Sequence, residues 1–407
     1  MIRKRDGYWQ VRVYAGLDPL TRKPRYAYHR AATKRLAEQA EARLVTEIAD
    51  GHRQGTGART VAALLDRWLP WHIQVNGRAA GTKANYHYYI EAKIKPALGH
   101  LPVRRLDPET LDGFYGELLA RGGTARVCTG TDPATGKKRY KTRSAPLSAS
   151  TVRGIHAVVS GALEQAVRWR WIAHNPARLA TVPAAGKARI TPPSVAQVTT
   201  LLEAALAAEQ RFGLFLRMAV ILGARRSELC ALRWAHVDFD HSEILIERGV
   251  TYVPGQSLVD ADTKDHGKRR LAADATTMEL LRSWRAACAK VALQLGQSLP
   301  ADGYVFSYAP DGSTPMHPSG ATHKFKRLAR THGLDPTTRL HDLRHFMVTS
   351  ALDAGVALPT VAGRAGHSDG GRVTLATYAH WQRAQDRHAA ELLAALCDSV
   401  TVSPARM

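Results

Sequence analysis

Cysteine is scarce in this sequence, with four in 407 residues. Cys128, Cys230, Cys288 and Cys397 lie far apart and form neither a Cys-x-x-Cys pair nor a Cys/His zinc spacing. That excludes a disulfide scaffold and a zinc module, and makes a reducing compartment the expectation. Long apolar runs are lacking as well. No stretch approaches the roughly 20 residues needed to cross a bilayer, and the start, Met1-Ile2-Arg3-Lys4-Arg5, carries no apolar core of signal-peptide length. A soluble, cytoplasmic protein without membrane contact is expected. Acidic residues are the third shortage: Asp and Glu number 35 against 57 Lys and Arg, a net charge of +22. Such a balance points to a polyanionic partner. Charge alone does not separate DNA enzymes from RNA-binding or membrane-surface proteins, so the motifs must decide.

The length exceeds one hydrophobic core and predicts two or three domains. Residues 8–14 alternate as a strand, with Trp9, Val11 and Val13 on one face and Gln10 and Arg12 on the other. A turn-rich stretch leads to a second aromatic strand at 26–28, and then to an Ala-rich helix over 33–50 with Leu36, Ala40, Leu44 and Ile48 near helical period. The cations of this module, Arg3, Lys4, Arg5, Arg12, Arg22, Lys23 and Arg25, suit a β-face laid on DNA. Residues 51–57 read as a Gly-rich linker, so the module spans 1–57.

From 58 to 180 the pattern is a helical bundle, with helices expected over 60–71, 82–94, 108–121 and 150–169. A basic, turn-rich excursion interrupts it near 122–146. There Asp132-Pro133-Ala134-Thr135-Gly136-Lys137-Lys138-Arg139-Tyr140 repeats the pattern D-P-x-T-x-K-x-R-Y of residues 18–26. Both copies fit the turn and outgoing strand of a hairpin, and Lys137, Lys138 and Arg139 become candidate DNA contacts. Residues 181–193, with Lys187 and Arg189 among prolines, read as a linker along a phosphate backbone. A domain of helices around one short antiparallel sheet is expected over 194–398, followed by a tail, 399–407. In it Ile244 and Ile246 alternate in a strand, and 263–271 is expected to form a hairpin turning near Asp265-His266-Gly267. The fold class is thus multidomain and mainly α, with small β-sheets.

Four islands carry chemistry. His341-Asp342-Leu343-Arg344-His345 places His341, Arg344 and His345 on one helical face, a cation beside proton-transfer groups, with Leu343 and Phe346 towards a core. Gly223-Ala224-Arg225-Arg226-Ser227-Glu228-Leu229 follows an apolar helix. Gly223 is placed to end that helix, and an arginine at the junction can clamp phosphate oxygens with its planar fork, with Glu228 near enough to orient it. Lys264 stands before the 265–267 turn, with Lys268 a rival after it. The last island joins Ala365-Gly366-His367-Ser368 to Thr377-Tyr378-Ala379-His380. Each alone is an ordinary surface cluster, and only their order along the chain is distinctive.

In that order the islands resemble the motifs of the tyrosine recombinases, the phage integrase family. The Gly-Ala-Arg-Arg-Ser-Glu-Leu run is similar to its first arginine box, Thr263-Lys264 to its β-hairpin lysine, and the His341 to Arg344 spacing to its H-x-x-R box. Gly366-His367-Ser368 and Thr377-Tyr378-Ala379-His380 resemble its terminal histidine and nucleophile boxes. Ala365 stands where the family usually has leucine, and Gly370-Gly371 lengthens the His-to-Tyr loop. Residues 58–180 resemble the family's core-DNA-binding domain, and 1–50 its arm-site-binding domain.

The resemblance implies that Arg225 and Arg344 bind the non-bridging oxygens of a scissile phosphate and that Tyr378 forms a 3′-phosphotyrosyl bond. It further implies that His341 moves the tyrosine proton, His367 hydrogen-bonds the phosphate, Lys264 protonates the leaving 5′ oxygen and Glu228 supports the site. Neither metal nor cofactor is implied. The implied partners are double-stranded DNA at core-type and arm-type sites, three further copies in a homotetramer, and a DNA-bending host factor or excisionase. The implied place is the bacterial nucleoid. A helix over 386–396 is expected to pack on a neighbouring protomer. Two other classes remain open: a type IB topoisomerase with the same chemistry, and a non-catalytic DNA-binding regulator on the same fold. A relaxase would want a His-hydrophobe-His metal motif that the sequence does not contain.

Overall fold

The structure is a computed structural model. It describes residues 1–17, 24–49, 59–77, 79–131, 135, 138–184, 186, 192–253, 257–262 and 267–367. The chain divides into two compact units, Met1–Lys187 and Ala188–Met407.

The first unit begins with an antiparallel sheet in the order β1 (Ile2–Arg5), β2 (Tyr8–Leu17), β3 (Pro24–Ala31), followed by helix α1 (Lys34–Ala49). Period-two alternation divides the sheet into two faces. Ile2, Trp9, Val11, Val13, Ala27 and Ala31 pack with Ala37, Ala40, Leu44 and Ile48 of α1. Leu36, expected on that helix face, is exposed, and Ala37 takes the buried place. The expectation of a single DNA-facing set is also corrected. Cα pairing sets Arg3 against Gln10 and Arg5 against Tyr8, but Lys4 against Trp9, so Lys4 projects on the opposite side from Arg3, Arg5 and Arg12.

Helices then build a second cluster: α2 (Val61–Asn76), α3 (Ala80–Tyr89), a π turn (Ile90–Ile94), α4 (Lys95–Leu98), α5 (Pro108–Arg121) and α6 (Ala149–Arg168). Their starts follow capping chemistry. Thr60, Asp107 and Ser148 each accept a hydrogen bond from the backbone N–H three residues on, and Pro108 occupies a first-turn position where no donor is needed. Trp68, Leu64, Ile94, Leu111, Ile155 and Leu163 are fully buried between them. Between α5 and α6 the basic excursion is a two-stranded ribbon, β4 (Gly123–Thr131) paired antiparallel with β5 (Lys138–Ala145).

In the second unit, α7 (Val195–Ala208) starts at a Ser194/Gln197 capping box. It is followed by α8 (Gln210–Leu222), α9 (Arg226–Cys230), β6 (Val237–Asp238), β7 (Glu243–Ile246), β8 (Arg248–Thr251), β9 (Val259–Asp262) and β10 (Arg269–Ala272). Helices α10 (Ala275–Gln294), α11 (Pro318–Thr331), α12 (Asp342–Asp353) and α13 (Leu358–Ala365) complete the described part. Phe215 of α8 meets Phe306 edge-on at 5.1 Å in the middle of the core.

The described strands form two sheets here, β10-β7-β6 and β8-β9, where the sequence suggested one. Of the hairpin expected over 263–271, residues 263–266 lie outside the described residues; its outgoing part, β10, pairs with β7, and the strand before it, β9, pairs with β8. Burial explains the choice. Leu271 lies opposite Ile244, and both are buried in the main cluster, which fixes the register of β10 on β7.

Candidate active site

Gly223 ends α8 in the left-handed conformation, φ 59, and a Cβ there would collide with the Met347 methyl. Glycine therefore permits both the turn and the close approach of α12. The turn delivers Arg225 to the N-cap of α9. There the Glu228 carboxylate accepts from the Arg225 backbone N–H at 2.8 Å and from its Nη1 at 2.9 Å. Arg225 Nη2 donates to the Gly366 carbonyl at 3.1 Å, joining the first arginine box to the residue before His367. Arg344, only 4% exposed, donates from Nη1 to the Gly223 carbonyl at 2.7 Å. Two guanidinium groups from boxes more than a hundred residues apart are thus each tied to a backbone carbonyl of another box. Neighbouring Arg226 bonds to Thr322, so of the adjoining pair it is the Arg225 side chain that meets Glu228.

Arg269 is the residue that sequence reasoning missed. It stands at the start of β10, where a run of cations looked like a solvated turn. Its Nη2 meets Glu228 Oε2 at 2.6 Å and its Nε donates to the Arg364 carbonyl at 3.1 Å. A Cβ on Gly366 would lie 2.9 Å from Arg269 Nη1, so the glycine of the Gly-His box leaves room for this guanidinium. The available signal was the strand period, which places Leu271 inward and Arg269 with it. Lys268, the rival for the general acid, pairs with Glu247 at 2.8 Å.

Glu228 is 3% exposed and sits between Arg225 and Arg269. Burial alone would push its carboxyl up, but hydrogen bonds and charge from Arg269, followed by those from Arg225, outweigh it and hold the group below the usual carboxylate range. We expect Glu228→Ala, which leaves two cations without their counter-charge, to cost about 3–5 kcal/mol, towards the lower figure because Arg225 reaches solvent. Thermal denaturation should then fall by roughly 6–12 °C for a unit of this size. The depressed folded pKa means that this stabilisation is full above the ordinary carboxylate value of 4.5 and is lost as pH falls through the lower folded value. An unchanged melting temperature in Glu228→Ala would show that the carboxylate does not brace the site.

His341 stands at the N-terminal cap position of α12, and its ring meets that of His345 edge-on at 4.8 Å. Although His341 is exposed, enough of its ring is turned into protein that desolvation, reinforced by His345, Arg344 and Arg339, pushes it down to about 4. It is neutral at pH 7 and can accept a proton, while an anionic phosphate beside it would raise that value. Asp342, buried, is held by Arg339 at 2.9 Å, which fixes the start of the helix. His367 follows the left-handed Gly366 that ends α13, its N–H donating to the Ala362 carbonyl at 3.0 Å. Arg225, Glu228, His341, Arg344 and His367 are therefore all described in one unit, whereas Lys264 and Tyr378 lie outside the described residues, as does the helix expected over 386–396.

Of the candidate DNA contacts, Arg3, Lys4, Arg5 and Arg12 are exposed on the first sheet, and Lys138 and Arg139 on β5. Arg12 stacks over Tyr26 at 3.6 Å. Arg25 belongs to β3. Arg22, Lys23, Lys137, Lys187 and Arg189 lie outside the described residues. Among those described, no helix is long and apolar enough to cross a membrane.

The sequence model of the phage integrase family matches residues 194–385. The chain is similar to the ICEBs1 integrase of Bacillus subtilis (strain 168), 23% identical over 382 residues, covering 92% of this chain and 94% of that one. It is also similar to an integrase of Streptomyces ambofaciens, 25% identical over 351 residues, covering 83% and 80%. Among solved structures, the Tn1549 transposon integrase in complex with a circular intermediate DNA superposes with a TM-score of 0.64 at 20% identity, covering 82% of this chain and 99% of that one. A lambda integrase tetramer bound to a Holliday junction gives 0.55 at 17%, covering 94% and 97%. These structural likenesses bear on the fold; the family match spans the segment that holds the site. With the arginine, histidine and glutamate boxes of that segment folded against one another as described, residues 194–385 form a domain of the phage integrase family, the tyrosine recombinases.

Proposed function

We propose that this chain is a site-specific DNA recombinase that moves a mobile element into or out of a larger DNA through a 3′-phosphotyrosyl bond to Tyr378. The observation that carries this reading is the mutual anchoring of Arg225 and Arg344 through Gly366 and Gly223. Fixed guanidinium groups suit the spread charge of a phosphoryl group in transfer, because they need no reorganisation as the charge develops. Arg225 and Arg344 take the non-bridging oxygens, His367 a further hydrogen bond, and His341 the tyrosine proton. Lys264 protonates the leaving 5′ oxygen, and Glu228 with Arg269 positions Arg225. One phosphodiester is exchanged for another, so bond energy is retained without ATP.

Duplex DNA is the partner, and a homotetramer is the assembly that places four tyrosines on two duplexes. The N-terminal module takes a second, arm-type site. Its outer face supports that assignment, since Arg3, Arg5, Gln10, Arg12 and Tyr28 line a polar depression of about 280 Å³. A DNA-bending host factor or excisionase sets the direction, and the work is done at the bacterial nucleoid. The test is strand transfer between duplexes carrying the element's joined ends and its target. Full-length protein should recombine them. A form lacking residues 1–57 should still cleave the core site and lose binding at the distal sites. Plasmid relaxation by monomers without site preference would instead assign the chain to the type IB topoisomerases, and equal loss of core-site binding would place the first module in the core clamp.

A further inference from the structure

The ribbon β4–β5 and the hairpin β2–β3 are two copies of one design. Residues 12–26 and 126–140 match at nine of fifteen positions, including Arg12/Arg126, Gly16/Gly130 and Tyr26/Tyr140. The structure extends the match to the pairing itself. Arg12 lies opposite Tyr28 and Tyr14 opposite Tyr26, as Arg126 lies opposite Thr142 and Cys128 opposite Tyr140. Both registers shift in the same stretch, after Tyr14 and after Cys128, beside positive-φ Gly16 and Gly130. In both copies the incoming arginine stacks on the outgoing tyrosine, Arg12 over Tyr26 at 3.6 Å and Arg126 over Tyr140 at 4.6 Å.

The copies differ on the other face. In the first, Val11 and Ala27 are buried in the cluster that includes α1. The second has Ala125 and Lys141 at those places, and Arg143 where the first has His29. Arg139, Lys141 and Arg143 then form a row of exposed cations on alternate residues, spaced roughly 7 Å apart. Arg126, Lys138 and Tyr140 stand on the opposite face, also exposed. Its base is held firmly: Ser144 Oγ donates to the Arg121 carbonyl at 2.8 Å and Lys93 Nζ to the Gly122 carbonyl at 2.6 Å. A ribbon that keeps its stacked face and exchanges its core-packing face for cations has the charge to meet anionic walls on both sides.

We infer that the β4–β5 ribbon is a second DNA-reading element, which enters the major groove of duplex DNA and places cations on the phosphates of both bordering strands. The major groove has the width to admit a two-stranded ribbon, whereas the minor groove is about half as wide. The inference rests on the DNA-recombining reading only for the identity of the partner. The test uses the full chain, a 30-base-pair duplex of mixed sequence, and the triple variant R139Q/K141Q/R143Q, whose exposed positions should leave the melting temperature unchanged. The slope of log affinity against log salt should become shallower by up to about 2–3, at roughly 0.9 per phosphate contact. On a duplex whose cytosines carry glucosylated hydroxymethyl groups, which fill the major groove, wild type and variant should bind alike. A salt slope unchanged by the triple substitution on plain duplex would overturn the inference while leaving the enzyme's DNA binding intact. A shallower slope that differs equally on the glucosylated duplex would overturn the groove placement. Failure of the wild type to bind plain duplex at all would strike the recombinase reading itself.

Discussion

A chain carrying Tyr378→Phe is expected to hold its duplex target with unchanged affinity and to form no covalent protein–DNA adduct on a nicked core-site substrate that traps the intermediate. The substitution removes one oxygen and leaves the ring, so the binding surface is preserved while the nucleophile is gone. Strand cleavage should fall by on the order of 10⁴-fold or more, as when a nucleophile is deleted from a site whose members act as a unit. A phenol of pKa about 10 reacts poorly until a base and nearby cations favour its phenolate. The described site holds those groups: His341, pushed down to about 4 and so unprotonated at neutral pH, and the anchored pair Arg225 and Arg344. Denaturing electrophoresis of labelled DNA reads the adduct directly. A band that persisted in Tyr378→Phe would move the nucleophile to another residue.

Lys264→Ala and Arg344→Ala should both cleave poorly, yet differ on a substrate with sulfur in the 5′ bridging position. A 5′ hydroxyl leaves as a strongly basic alkoxide unless an acid protonates it, and loss of a general acid typically costs about 10²–10⁴-fold. A thiol of pKa about 8.5 leaves unaided. Lys264→Ala should therefore recover most of its rate on the sulfur substrate. Arg344 acts on other atoms. Its guanidinium is buried and fixed on the Gly223 carbonyl, and the proposed reading assigns it the non-bridging oxygens, which bridge sulfur does not replace. Its defect should remain. Arg344→Lys keeps the charge, loses the planar fork and should stay impaired. Rescue of Lys268→Ala in place of Lys264→Ala would shift the acid to Lys268, although Lys268 already pairs with Glu247. Rescue of neither would make His341 the acid.

What the chain carries in its own order is the set of reacting groups and the elements that bear them. Gly223 before two arginines, the His341 to Arg344 spacing and Gly366 before His367 are local signals. Their geometry follows from helix period and from the glycine conformation that ends α8 and α13, so they were legible residue by residue. The recurrence of D-P-x-T-x-K-x-R-Y was legible too, because a repeated turn needs only a repeated sequence. Partner choice across distance was not. Arg269 looked like one cation among several in a turn, and only the pairing of β10 with β7 carries it to Glu228, 41 residues earlier in the chain. That pairing was selected by burying Leu271 against Ile244. Arg344 was singled out for the phosphate, but its burial on the Gly223 carbonyl, 121 residues away, could not be read from the helix face alone. The sequence by itself determined which groups are present, their spacing and their charge. The tertiary structure alone decided which cations the buried Glu228 carboxylate would collect, because that depends on which apolar strands and helices exclude water together, and burial is a property of the assembled core.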